Sequence, residues 1–586
     1  MIFSTANINS VWAGLLIEEL SRHNITQFYI SPGSRSTPLV AAVAQNSRAE
    51  SVIHFDERGA AFCAIGYARA ARKAAVLICT SGTAVAEYFP SVIEASMDNL
   101  PLIILSADRP TELHDVGANQ TIHQAGLFGR YARHSIDLPC PDIAISSLFV
   151  LATVDYAVRL AHGSEPGPVH INCRFREPLA PIESGEDFLS YLKPVETWSK
   201  NNNPNTRHQV GKSTCDKTAI DHLASEIGQS SRGLVIVGQL RTKEERESAA
   251  LLCKTLDWPV FADVTSGLYF GFSVDSLIVH YDLFLGSEVH GREINLDFIL
   301  HIGGQFVSRM LQDFIAQTRP VHFVQIDSVP RIIDPSHQLT QRIEADIATF
   351  CAQLLTKRNQ SQSRLTGLLT KSSEISQQII CGKFSKAEAL TDVGVVFELS
   401  KQIADNSGLF LASSMPIRLM NMYGSKSNYN VTVGSNRGVS GIDGTIASAV
   451  GFAQGLGQPV TLLIGDLAFL YDLNSLALVK QSSQQIIIVI LNNNGGGIFA
   501  HLPIAKFDTI FEKYFITPHN LSFEHAAKLF LIPYVNPRTR SDFVNQYQQG
   551  VKSGKSAIIE ITLDREKDMA LHKAIVTEVS EKLSQL

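Results

Sequence analysis

Two stretches of this sequence pair hard oxygen donors with glycines. The apolar run Val460–Ile464 reads as a buried strand that leads directly into Gly465-Asp466. About two dozen residues later a second apolar run, Ile486–Leu491, leads into Asn492-Asn493. In a parallel sheet both strand ends open on one edge, where ligands bind. The carboxylate of Asp466 and the side-chain carbonyl of Asn493 suit Mg²⁺, which takes few protein ligands and leaves room for phosphate oxygens and water. A backbone carbonyl near Gly495 could complete the set. Gly465 lets the backbone approach a diphosphate closely, and Gly495-Gly496-Gly497 permits a tight turn. Either stretch alone is also an ordinary turn. Together, on successive sheet edges, they point to a metal–diphosphate site.

Other residues could supply acid–base and anion-binding chemistry. Glu57 follows the apolar stretch Val52–Phe55 and opens an alanine-rich helix that should bury it. Burial raises a glutamate pKa by up to several units, giving a carboxyl able to share a proton at neutral pH. The alternative is that Glu57 only complements a helix N-terminus. Arg35, Arg109, Arg418 and Arg437 lie after expected strands or beside glycines. A guanidinium fork there can hold a carboxylate through two bonds. Ser34, Asn119, Gln120 and Ser414 are neutral donors close to them, and Arg309 follows Gly303-Gly304.

The elements that must position these groups alternate strand and helix, the pattern of parallel sheets with crossover helices. Asn9 can cap a first helix carrying Val11, Trp12, Leu15, Leu16 and Leu20, and another helix begins near Thr37-Pro38. Apolar runs predict strands at Phe28–Ile30, Val52–Phe55, Ala75–Cys79, Leu102–Leu105 and Val169–Asn172. A second set lies at Leu234–Val237, Val260–Ala262, Phe298–Ile302 and Val321–Ile326. The third comprises Leu409–Ala412, the two runs already named, and Ala557–Ile561. Polar stretches at Lys200–Lys217 and Gln360–Gln378 read as linkers, the latter weakly helical. The expectation is three doubly wound α/β domains, over residues 1–185, 200–355 and 385–586.

Composition narrows the class. With 586 residues, 45% apolar and 18% charged, the chain can bury several large cores. A formal charge of -6 without a dense basic stripe argues against nucleic-acid binding. The eight cysteines are scattered with no CxxC pair, against a thiolate zinc site or a disulfide framework. No signal peptide or membrane span is expected, so a cytoplasmic protein is the reading.

The stretch Gly465–Asn493 resembles the thiamine-diphosphate (ThDP) signature, in which Gly-Asp-Gly precedes Asn-Asn by about two dozen residues. Leu467 replaces the second glycine. With Asp472-Leu473-Asn474 after it, this departure resembles one branch of the superfamily. That branch is the 2-succinyl-5-enolpyruvyl-6-hydroxy-3-cyclohexene-1-carboxylate (SEPHCHC) synthase family of menaquinone biosynthesis. Pro32–Pro38, Phe55–Gly59, Thr80–Ala84, Ala107–Pro110, Asn119-Gln120, Gly167–His170, Arg176–Pro178, Ser435–Gly438 and Gly441–Gly444 are similar to that family in the same order.

The resemblance implies ThDP with Mg²⁺ (or Mn²⁺), decarboxylation of 2-oxoglutarate, and 1,4-addition of the succinyl-semialdehyde carbanion to isochorismate. It implies that Glu57 bonds the aminopyrimidine of the cofactor and that Ile442 wedges between its two rings. Gly82, Ser414, Gly441, Gly465, Asp466, Leu467, Asn493, Gly495 and Ile498 would complete the cofactor site, with Asp466, Asn493 and Gly495 on the metal. Ser34, Arg35, Arg109, Asn119, Gln120, Arg309, Ser414, Arg418, Arg437 and Phe499 would face the substrates. Arg309 is followed by Met310, where the family often has a second basic residue. The middle domain has no intact GxGxxG, so no flavin is expected. A homodimer or homotetramer with shared sites is implied.

The nearest alternative is another ThDP-dependent decarboxylase or carboligase such as an acetohydroxyacid synthase, for which a fuller Gly-Asp-Gly and a flavin site would be expected. Simple decarboxylases commonly carry a His-His pair in the first domain, which this chain lacks. A non-catalytic nucleotide-binding α/β protein would have no use for Glu57.

Overall fold

The computed structural model describes residues 3–286, 294–357, 362–384 and 387–585. Residues 1, 385 and 586, at the ends of the expected outer domains, and 360–361, at the start of the expected second linker, lie outside them. Strands β1 (Gln27–Ile30), β2 (Glu50–Ile53), β3 (Ala75–Cys79), β4 (Leu102–Asp108), β5 (His134–Leu138) and β6 (Pro168–Arg174) form one sheet. β7 (Gly233–Val237), β8 (Val260–Ala262), β9 (Phe298–Ile302), β10 (His322–Asp327) and β11 (Gln341–Glu344) form a second. β12 (Ser407–Leu411), β13 (Val431–Gly434), β14 (Val460–Gly465), β15 (Ile486–Asn492), β16 (Tyr534–Val535) and β17 (Ala557–Thr562) form the third.

Every strand pair is parallel, and the first and third sheets share one topology, β2-β1-β3-β4-β6-β5 and β13-β12-β14-β15-β17-β16. The winding direction reverses between β1 and β3, and again between β12 and β14. Such switch points leave a crevice at the strand carboxyl ends. Central strands such as β3 and β15 are buried along their whole length, which is why they read as continuous apolar runs.

Differences from expectation fall at edges and helix ends. The stretch Val52–Phe55 is not one buried strand: β2 is an edge strand ending at Ile53, and Ile53 and Phe55 are 45% and 62% exposed. The edge strands β5, β11, β13 and β16 lack a contiguous apolar run, so periodicity does not reveal them. Asn7, rather than Asn9, caps the helix Ile8–Arg22 by accepting from Ser10 N. Asn9 instead donates to the carbonyls of Arg176 and Pro178 at 2.8 and 3.0 Å. The second expected linker overlaps the helix Thr366–Phe384, which buries Ser372, Ser373 and Ser376 beside Leu369 and Ile380. Ser372 and Ser376 bond back to carbonyls four residues earlier, so a serine-lined face is packed without apolar periodicity. Lys200–Asp216 forms no regular element, and a helix starts at Lys217.

The chain divides into two compact units, Met1–Val210 with Asn436–Gly457 and Tyr471–Gln484, and Gly211–Ser435 with Gln458–Leu470 and Gln485–Leu586. In the first unit the helix Glu57–Ala71 packs on the helix Thr445–Leu456 through glycines. A Cβ on Gly66 would meet Ser448 O at 2.1 Å, on Gly451 Cys63 O at 1.8 Å, and on Gly455 Tyr67 O at 2.7 Å. Gly444, with φ +59°, lies against the ring of Phe62. These contacts advance together along both helices, so the helices run parallel and their N-terminal ends share one end of the pair. Gly451→Val should therefore cost about 1–3 kcal/mol by overpacking, read as a lower urea midpoint. Gly228→Ala, in open space, should leave the midpoint unchanged or slightly raised. Equal midpoints for wild type and Gly451→Val would contradict this packing.

Candidate active site

In the first unit the expected residues gather at the carboxyl ends of neighbouring strands. The loop after β1 carries Ser34, which is exposed, and Arg35, whose N–H donates to Thr80 Oγ1 and whose guanidinium donates to Phe175 O at 3.0 Å. After β3, Gly82 adopts φ +85° and donates its N–H to Gln124 Oε1 at 2.8 Å. After β4, the Arg109 guanidinium donates to Ser81 Oγ and, at 2.8 Å, to Gln120 O. Gln120 Nε2 returns a bond to Ser81 O at 3.0 Å. Arg35, Arg109, Gly82 and Gln120 are thus brought together, whereas Asn119 lies exposed beside them.

Burial, and then the neighbouring Arg35, hold the Arg109 guanidinium below its usual pKa. Two adjacent cations favour an anion between them. Arg109→Ala should remove a charge-assisted bond worth about 2 kcal/mol, raising KM for a dicarboxylate roughly 30-fold with cofactor affinity unchanged. An unaltered KM would remove Arg109 from the site.

Glu57 is the first residue of its helix, with Asp56 as N-cap accepting from Gly59 N. It is half-buried, and burial raises its carboxyl pKa, helped by the negative charges of Asp56 and Glu87. The buried ring of His54 fills the space a Gly59 side chain would need, 2.5 Å from the ideal Cβ position. Arg437, Gly441 and Ile442 lie in the same unit on the loop between β13 and the helix Thr445–Leu456, all half-buried. That loop is anchored by Glu94, which accepts from Gly438 N and Val439 N, both at 2.8 Å. Arg69 pairs with Glu94 at 3.2 Å and with Asp98. The parallel helix pair therefore holds the Ile442 loop and Glu57 at a common end.

In the second unit Gly465 ends β14 and Asp466 follows it, buried. Asp466 Oδ1 accepts from Leu467 N at 2.6 Å, and Oδ2 accepts from Gly495 N at 2.8 Å and lies 3.3 Å from His519 Nε2. Leu521 N donates to His519 Nδ1, which leaves the proton on Nε2 facing the carboxylate. Burial raises the Asp466 pKa against these bonds. Asn493 Oδ1 is buried and has no hydrogen-bond partner among the described residues. An unsatisfied buried carbonyl is costly, and a cation would satisfy it. Gly495 has φ +134° and would drive a Cβ to 2.1 Å from Ile516 O, so only glycine fits there. These donors fit a hard divalent ion.

Ser414 holds φ +72° and ψ -131°, a strained non-glycine conformation of the kind that clusters at functional sites. Its carbonyl accepts from Arg418 at 2.6 Å. Arg309, Arg418 and Ile498 line a cavity of about 560 Å³ within the second unit. Arg309 is 79% exposed along its side chain and pairs with Asp313 at 3.4 Å. Phe499 packs edge-on against Phe515. Gln124, His501, His519 and His572 at or near these sites carried no local sequence signal, because single residues in loops or on a helix have no diagnostic spacing.

Three family models match in order. The thiamine pyrophosphate enzyme N-terminal TPP binding domain covers residues 12–127, the middle domain 189–411, and the C-terminal TPP binding domain 414–561. Over 576 residues the chain is 44% identical to a 2-succinyl-5-enolpyruvyl-6-hydroxy-3-cyclohexene-1-carboxylate synthase of Chlorobium phaeobacteroides, covering 97% of each chain. The chain belongs to this synthase family. A SEPHCHC synthase of Rubrobacter xylanophilus is 41% identical over 98% of each chain. One of Salinibacter ruber is 38% identical over all of this chain and 99% of its own. The three parallel-sheet domains are the N-terminal, middle and C-terminal domains of a ThDP enzyme of the SEPHCHC synthase family. Among the described residues no helix is long and apolar enough to cross a membrane.

Proposed function

We propose that the protein uses ThDP and Mg²⁺ to decarboxylate 2-oxoglutarate and join the remaining four-carbon unit to isochorismate, giving SEPHCHC and CO₂. The observation that carries this reading is the oxygen donor set at the third sheet's carboxyl edge, where Asn493 Oδ1 has no partner among the described residues and Asp466 accepts from Gly495 N. The names of the full-length relatives support the choice of product.

When bound, ThDP supplies the nucleophilic carbon and the electron sink for decarboxylation. Asp466, Asn493 and the Gly495 carbonyl would hold the metal, Mn²⁺ being an acceptable substitute. Glu57 would keep a proton at the pyrimidine nitrogen, its raised pKa suiting a shared proton. Ile442 would hold the bent cofactor, with Gly82, Ser414, Gly441, Gly465, Leu467 and Ile498 around it. Arg35, Arg109, Arg418 and Arg437, with Arg309, would take the substrate carboxylates, and Ser34, Asn119, Gln120 and Phe499 would complete their pockets. A homodimer or homotetramer with shared sites is the working assembly, for which the exposed Ile53 and Phe55 beside Glu57 offer apolar contact surface. Eight free thiols suit a reducing compartment such as the cytoplasm.

The test is product identification by NMR after incubation with ThDP, Mg²⁺ and both acids. A single SEPHCHC adduct is expected. Acetolactate formed from pyruvate, with no adduct from the expected pair, would instead favour an acetohydroxyacid synthase.

A further inference from the structure

The cavity of about 560 Å³ in the second unit has two guanidiniums, Arg309 and Arg418, in its wall. Among the described lining residues the one acid is already engaged: Asp282 accepts from Ser308 Oγ and, at 2.9 Å, from Asn421 Nδ2. Among the described lining residues two guanidiniums therefore face no free carboxylate, Arg309 pairing with Asp313 outside the lining, and Leu502 and Val576 add apolar surface. That combination suits a small acid with a hydrocarbon body.

His572 also faces this cavity, from the second turn of the helix Arg565–Leu583. Its Nδ1 is 2.5 Å from the hydroxyl of Tyr423, the last residue of the helix Met415–Tyr423 that follows Ser414. Burial keeps Tyr423 a phenol, with a pKa well above the usual value, so its O–H donates and Nδ1 accepts. The ring proton is then on Nε2, which has no hydrogen-bond partner among the described residues. Burial, with the neighbouring His501, pushes the His572 pKa down to about 4, leaving a neutral donor at working pH. His501 meets the ring edge-on, 5.4 Å between centroids, and limits its rotation.

We propose that His572 is a substrate-binding residue whose Nε2–H donates to a carboxylate of the acid in this cavity, with Tyr423 as the positioning residue that sets its tautomer. The assignment rests on the proposed reaction and adds a neutral donor to its arginines. A neutral imidazole contributes direction without a third mutually repelling cation.

The test is steady-state kinetics on the full-length enzyme saturated with ThDP and Mg²⁺. His572→Leu should raise KM for one of the two acids about tenfold or more, a neutral-to-charged hydrogen bond, with kcat within about threefold and a folded protein whose thermal midpoint falls modestly as the buried Tyr423 hydroxyl loses its acceptor. His572→Gln, whose amide nitrogen reaches the Nε2 position, should recover most of the loss. Tyr423→Phe should fall between them. Unchanged KM values for both acids in His572→Leu, or a Gln variant as impaired as Leu, would overturn the assignment alone. Wild-type enzyme that neither turns over nor binds either acid would overturn the functional reading, and this assignment with it.

Discussion

Glu57→Gln is expected to lower kcat by roughly 10²–10⁴-fold, the contribution typical of a positioned proton-transfer group. The side chain begins its helix half-buried beside Asp56 and Glu87, so its proton is held more tightly than in water. Glutamine preserves the shape and removes the proton that can be shared. The fold should not suffer. A carboxyl whose pKa is raised on folding contributes its stability below the unfolded value, near 4.5, and loses it as pH rises through the folded value. At pH 7–8 the neutral amide should therefore match or exceed wild type in thermal midpoint. Lost turnover with a retained midpoint is the expected pair of results, and wild-type turnover in this variant would remove Glu57 from the chemistry.

Asp466→Ala should weaken Mg²⁺-dependent ThDP binding by at least about 100-fold, since even partners one shell out from a metal typically contribute 10–100-fold. The carboxylate also organises the turn that follows β15, through Gly495 N, and it receives His519. Asn493→Ala should weaken binding without loosening that turn, because its Oδ1 has no partner among the described residues to lose. Calorimetry of ThDP with and without Mg²⁺ reads both variants. Equal cofactor affinity in wild type and Asp466→Ala would place the metal elsewhere.

The sequence disclosed the parts of this site that are local. Gly465-Asp466 and Asn492-Asn493 follow strands whose apolar runs are long and central, so both the elements and the donors at their ends were legible. The Arg35 and Arg109 loops were legible for the same reason, as they close central strands of the first sheet. Edge strands such as β11, Gln-Arg-Ile-Glu, were not, because only one face of such a strand is covered and its pattern is too short to register. The partial burial of Glu57 follows from β2 lying at a sheet edge, which the apolar character of Val52–Phe55 disguised. What joins the Glu57 helix to the Ile442 loop is a set of glycines nearly four hundred residues apart in sequence, and no local pattern encodes that register. His519 lies 53 residues from Asp466 and His572 149 from Tyr423, and only the folded chain brings these pairs together.

Decarboxylation and carbon–carbon bond formation are coupled in the proposed reaction, and CO₂ release from 2-oxoglutarate by the purified protein with ThDP and Mg²⁺, in the presence and absence of isochorismate, reads that coupling. Slow release alone and strong stimulation by isochorismate are expected, with one adduct formed per CO₂. Release from pyruvate but not from 2-oxoglutarate, or release indifferent to isochorismate, would contradict it.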